Sequence, residues 1–291
     1  MIAKSLLRIV PLVLLFPLSL LTPGLAQSLD TQSSVPSTLN PALPTIFIAG
    51  DSTAATVDHP LQQGWGAPFA AFFDPAKVNV DNRAKGGRSS RTFINEGLWD
   101  ALIADLKSGD IVLIQFAHND ADFVNAPPPD SDRPLRARGT LPGLGEETEA
   151  IDNVLTKKHE IVHTFGWYIR RMITDVKAKG ATPMLISPTV RNLWTDGKVE
   201  QGPAGYQEWN RALAAEAGID FVDATQLIAQ EYQRRGEDWL KKEFFPKDYV
   251  HTNAAGAEFN AMQVVAGLKA LRSKPVTAIL SPSGEAVPDA S

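Results

Sequence analysis

Five short apolar runs recur along the chain, at residues 45–49, 78–82, 110–116, 183–187 and 219–222. They are too short for typical helices and rich in β-branched side chains, which predicts buried strands. The stretches between them carry a helical period instead. Ile161, Phe165, Ile169, Met172, Ile173 and Val176 would share one helix face, with Lys158, Arg170, Arg171 and Lys177 outside it and Gly180 as the stop. Further helices are expected over 203–217, 224–235 and 254–271, the last with Asn253 as N-cap. Strands alternating with helices predict an α/β fold: a three-layer α/β/α sandwich on a five-stranded parallel sheet, flavodoxin-like in kind. Residues 122–156, with three successive prolines and several glycines, read as an irregular surface insertion.

The ends follow a different pattern. Lys4 and Arg8 precede an apolar run interrupted by Pro11 and Pro17, and Leu25-Ala26 follows a Pro-Gly break. This predicts a secretory signal over 1–26, cleaved after Ala26, and so a secreted or periplasmic protein with no membrane attachment afterwards. Residues 27–44 read as a flexible linker, 45–272 as the domain and 273–291 as a flexible tail. The chain has no cysteine, so no disulfide or lipid-modified cysteine is available. Its 291 residues carry a net charge of −5, which argues against nucleic acid as a partner.

In a parallel sheet, ligands bind beyond the C-terminal strand ends. There the sequence places Gly50-Asp51-Ser52-Thr53, the loop Gly86-Gly87-Arg88-Ser89-Ser90-Arg91, and His118-Asn119-Asp120. Late in the chain stands Asp248-Tyr249-Val250-His251. A serine at a strand end is a candidate nucleophile, although turn serines are common. An aspartate three residues before a histidine can orient its ring and stabilise the imidazolium. Asn119 can aim an amide N–H at an oxyanion, and the glycine loop can supply a bare backbone N–H. Taken singly each has a bland explanation; together they offer nucleophile, base, orienter and oxyanion donors on one rim.

These four blocks resemble those of the SGNH (GDSL-type) hydrolases. Gly64-Trp65-Gly66, Gly87-Arg88-Ser89 and His118-Asn119-Asp120 are similar to the rhamnogalacturonan acetylesterase branch. The resemblance implies a carbohydrate acetylesterase with Ser52 as nucleophile, His251 as base, Asp248 as its orienter, and Ser52, Gly87 and Asn119 forming the oxyanion hole. Asp51, Arg88, His118 and Trp194 become candidate substrate contacts. Ala117 stands where the family usually has glycine, and its methyl is expected to shift the Asn119 loop slightly.

The chemistry needs no metal or cofactor. His159 and His163, four apart on the expected helix, lack the glutamate of a zincin motif. The expected partner is an acetylated polysaccharide or oligosaccharide, and the expected state a monomer. Trp65, Trp194 and Trp209 could stack on sugar rings. Arg83, Lys85, Arg88 and Arg91, with Arg133, Arg136 and Arg138 in the insertion, would suit an anionic polymer such as pectin. An SGNH lipase acting on another acyl ester, and an inactive carbohydrate-binding relative, remain the alternatives.

Overall fold

The computed structural model describes residues 39–271 and 276–290; the expected signal and most of the expected linker lie outside them. The strands in chain order are β1 Thr45–Gly50, β2 Asn79–Asn82, β3 Ile111–Gln115, β4 Thr148–Asp152, β5 His159–His163, β6 Thr182–Ile186, β7 Trp194–Thr195, β8 Lys198–Val199 and β9 Asp220–Val222. The helices are α1 Gly66–Phe69, α2 Ser90–Asn95, α3 Leu98–Asp105, α4 Phe165–Ala178, α5 Tyr206–Ala217, α6 Ala224–Arg235, α7 Glu237–Glu243, α8 Ala254–Ala270 and α9 Pro282–Glu285. All five expected strands form within a residue or so of their expected bounds.

They pair in parallel in the order β2-β1-β3-β6-β9. Because side chains alternate along a strand, β1 sends Ile46 and Ile48 to one face and Phe47 and Ala49 to the other. The first face packs on α1, α6, α7 and α8 through Phe69, Ile228, Tyr232, Leu240 and Val264. The second packs on α2 to α5 through Phe93, Trp99, Phe165, Ile169 and Leu213. The result is the expected three-layer sandwich.

Helix α4 departs from the expectation at its start. Thr164 caps it, its side chain accepting the Trp167 N–H at 3.1 Å. Ile161 lies instead in β5, which pairs antiparallel with β4. The run His159-Glu160-Ile161-Val162-His163 alternates, with Val162 buried and Ile161 exposed, so period 2 governs it. His159 and His163 are therefore strand residues, about 13 Å apart at a strand's rise, and do not share a helix face. His159 pairs with Asp152, and His163 stacks on Trp167. Helix α5 begins at Tyr206 because Gly205 takes a φ of +86°, which no helix continues through.

The insertion carries strand β4 and is stapled to the domain by Arg91. This wholly buried guanidinium donates to the carbonyls of Val124 and Ala137. The C-terminal segment also differs from a free tail. Within 276–290, Val276, Leu280 and Val287 are buried, Leu280 bridges Phe73, and Ser281 bonds Phe72 and Ala71. The end of the expected linker is tied down as well, since Asn40 donates its N–H to Asn79 at 3.0 Å.

Candidate active site

Ser52 follows β1 in a tight turn. Gly50 is needed there because a Cβ would sit 3.0 Å from the Gln115 carbonyl and 3.1 Å from Ala54. Asp51 is buried, and one carboxylate oxygen accepts both the Thr53 N–H and its hydroxyl at 2.8 Å. Burial pushes the Asp51 carboxyl up, opposed by those two bonds. Asp51 thus braces the Ser52 turn from below and does not line the pocket where a substrate contact was expected of it. Trp65 lies under the same turn, its indole N–H donating to Gln115 at 2.9 Å. Flanking it, Gly64 and Gly66 let this segment approach the Ala54-Ala55 backbone, where added Cβ atoms would come within 2.5 Å.

His251 comes from the loop before α8. That loop is fixed by Asn253, which caps α8 through Gly256 N–H at 3.0 Å, as expected, and by Thr252 bonded to Gln63 in both directions. Asp248 accepts the N–H groups of Val250 and His251 on one oxygen, at 2.7 and 2.8 Å. Its other oxygen meets His251 Nδ1 at 2.8 Å, and His251 Nε2 meets Ser52 Oγ at 3.0 Å. Partial burial raises the Asp248 carboxyl, but the His251 and backbone hydrogen bonds outweigh it and hold the group below the ordinary carboxylate range.

Gly87 has a φ of +79°, a conformation that turns its backbone in a way other residues resist. Neither the Ser52 nor the Gly87 N–H is taken by a described protein acceptor. Asn119 donates one amide hydrogen to the Arg88 carbonyl at 2.8 Å, which leaves the second free. Ala117 is fully buried with an ordinary negative φ, so it holds the Asn119 loop without backbone strain. Below Asn119, buried Asp120 accepts the Ser90 N–H at 3.0 Å; burial raises its carboxyl to about 7.

Ser52, Gly86, Gly87, His118, Asn119 and His251 line one pocket of about 370 Å³. Gln62, Asp122, Arg133, Arg136, Arg138, Arg191, Tyr249 and Val250 complete its wall. His118 therefore lines the pocket. Burial, then the nearby Arg191 charge, holds its ring well below the usual histidine range, so it stays neutral. Arg88 does not line the wall; it pairs with Glu96 and the Gly86 carbonyl. Trp194 packs in the core and donates to Asn192 at 2.7 Å, and Trp65 and Trp209 are likewise away from the pocket. Of the other expected loop cations, Arg83 pairs with Asp81 and Asp105. The aromatic at the site is Tyr249, 53% exposed. Tyr249, Arg191 and Gln62 were not singled out from the sequence. Arg191 lies in the stretch after β6, where the strand-end rule directs attention, and Tyr249 lies inside the Asp-x-x-His block itself. Among the described residues no group of three or more His, Asp or Glu is placed to hold a metal.

Ser52, His251 and Asp248 stand in hydrogen-bonded line at the C-terminal edge of a parallel sheet. The chain belongs to the GDSL-like Lipase/Acylhydrolase family, whose model matches residues 48–259, and is a carboxylic ester hydrolase of the SGNH type. Among its relatives, rhamnogalacturonan acetylesterase from Emericella nidulans is 34% identical over 79% of this chain and 85% of that protein. Rhamnogalacturonan acetylesterase RhgT from Bacillus subtilis is 27% identical over 75% and 85%. The crystal structure of protein YxiM from Bacillus subtilis superposes with a TM-score of 0.60 at 26% identity, covering 78% of this chain and 56% of that one.

Proposed function

We propose that this chain is an exported serine esterase that removes O-acetyl groups from a plant cell-wall polysaccharide, rhamnogalacturonan above all. One observation carries the mechanism: the unbroken line from Asp248 through His251 to Ser52, at 2.8 and 3.0 Å. Ser52 Oγ attacks the acetyl carbonyl carbon while His251 Nε2 takes the hydroxyl proton. Asp248, held ionised, stabilises the imidazolium and keeps Nδ1 protonated. The tetrahedral oxyanion is met by the Ser52 and Gly87 N–H groups and the free Asn119 amide hydrogen. His251 then returns its proton to the departing sugar oxygen. Water, activated by the same ring, cleaves the acetyl-Ser52 ester and releases acetate.

Two features support a short acyl group on a sugar. The pocket wall is polar almost throughout, with Val250 its one aliphatic lining residue. The curated relatives named above are acetylesterases of rhamnogalacturonan. The signal-like pattern over 1–26 supports export, with the mature chain starting at Gln27. The test is acetate release from acetylated rhamnogalacturonan and from acetylated xylan, with wild type and Ser52→Ala side by side. Release from the pectic polymer, absent in the variant, is expected. Preference for xylan would discard the substrate assignment and keep the mechanism, and undiminished release by Ser52→Ala would discard the nucleophile.

A further inference from the structure

A second pocket adjoins the catalytic one. It holds about 350 Å³, and its wall includes Leu193, Glu200, Gln201, Pro203 and Ala204. Arg191 belongs to the walls of both, so the two hollows are neighbours across one side chain. Acyl transfer at Ser52 makes no use of the second. Its position is fixed by the backbone. Asn192 donates its N–H to the Tyr249 carbonyl at 2.8 Å, which ties the start of the lining stretch to the block that carries His251. The β7–β8 hairpin is closed by the Glu200 N–H on the Leu193 carbonyl at 2.8 Å. Gln233 of α6 holds that hairpin down, accepting the Val199 N–H and donating to the Gly197 carbonyl. A pocket braced in this way binds without first having to be ordered.

The lining chemistry is of two kinds. Leu193 and Pro203 are half-buried and offer a small apolar patch. Glu200 and Gln201 are exposed beside it. One Glu200 oxygen accepts the Thr195 hydroxyl at 2.7 Å, and the other has no partner among the described residues. The Gln201 amide is likewise open among them, with acceptor and donors both available. A carboxylate and an amide beside an apolar patch match a sugar ring, which presents hydroxyls at its edge and C–H groups on its face.

We propose that this second pocket is a subsite for a sugar residue next along the chain from the acetylated one, held through its hydroxyls by Glu200 and Gln201. The enzyme then works faster on an oligosaccharide than on a single acetylated sugar. This rests on Ser52 acting as the nucleophile of a sugar acetylesterase. Recognition in the second pocket is by hydroxyl hydrogen bonds and not by charge, because its unpaired carboxylate accepts from O–H groups.

The experiment uses acetylated oligosaccharides of graded length, one series from rhamnogalacturonan and one from xylan, with 4-nitrophenyl acetate as a substrate that has no sugar. Wild type is expected to gain about tenfold in kcat/KM, through KM, from the shortest to the longer members of the series it hydrolyses. Raising salt should leave that gain in place, since hydroxyl hydrogen bonds are not screened as separated charges are. Ala204 is exposed and has no positive φ, so Ala204→Trp can fill the pocket from its rim. That variant should lose the gain, about tenfold on the longer substrates beyond any change on 4-nitrophenyl acetate. Glu200→Ala should lose a smaller part. Binding of the longest oligosaccharide to Ser52→Ala, with and without Ala204→Trp, reads the pocket without turnover and should weaken by a similar factor. No gain with length in either series overturns the proposal. So does a gain that survives Ala204→Trp or disappears with salt, and so does an Ala204→Trp loss of the same size on 4-nitrophenyl acetate. Binding that Ala204→Trp weakens, with no hydrolysis of any ester, would instead keep the subsite and reject the esterase reading.

Discussion

Asp248 accepts two backbone N–H bonds and one imidazole nitrogen, and a carboxylate so supplied has little reason to protonate at neutral pH. Asn119 gives one amide hydrogen to the Arg88 carbonyl and has the other free, as the oxyanion role proposed for it requires. Asn119→Ala should therefore lower kcat by about 10²–10³-fold with little change in KM, in a steady-state assay on a small acetyl ester. Asp120 behaves in the opposite sense to Asp248. Its carboxyl is raised from an ordinary 3.8 to about 7, so the folded state holds a proton that the unfolded chain releases. The stability this gives is full below about pH 4 and is lost as pH rises through about 7. Asp120→Asn removes the titration. The melting temperature of wild type relative to the variant should fall between pH 4 and pH 8; a constant difference would show that Asp120 does not hold its proton.

At the scale of elements, the five strands and most helices were legible because burial on both faces leaves β-branched runs with abrupt ends. The Ser52, Asn119 and Asp248/His251 blocks were legible for a related reason, since each stands just past a strand end or before a helix cap. What the sequence concealed were features of geometry. Ile161 matched a helical face by coincidence of spacing, while Thr164 and the alternation before it set the true boundary. Asp51 and Arg88 sit beside the chemistry in sequence, yet turn inward or toward Glu96. Tyr249 and Arg191 reach the pocket only through the folding of loops that lie far apart in the chain. The glycine loop offers a direct check of this geometry. Gly87→Ala forces a side chain into a φ of +79°, at a cost of about 1–2 kcal/mol, whereas a Cβ at Gly86 meets only Ser52 Cβ at 3.8 Å. Urea unfolding should show the first variant clearly less stable than the second.

On the scale of the whole molecule, the C-terminal segment is part of the domain's core. Leu280 is 5% exposed and packs with Phe72 and Phe73. Leu280→Ala should lose about 2–4 kcal/mol in equilibrium unfolding; a loss within error would mean the segment is dispensable. The same segment explains why composition misled at this end. Its prolines, serines and small residues resemble a linker, while Val276, Leu280 and Val287 all lie outside α9 and dock individually.

The hydrogen bond between Ser52 and His251 joins residues 199 positions apart. Ser52 leaves the first strand, and His251 precedes the last long helix, so the pair can meet only when every intervening crossover has closed. Long-range closure of this kind is the slow part of assembling a parallel sheet. Ester cleavage is thus a clock for the final docking event. During refolding, helical signal should recover first and catalytic rate last, and the interval between them times the arrival of Ser52 and His251 at one rim.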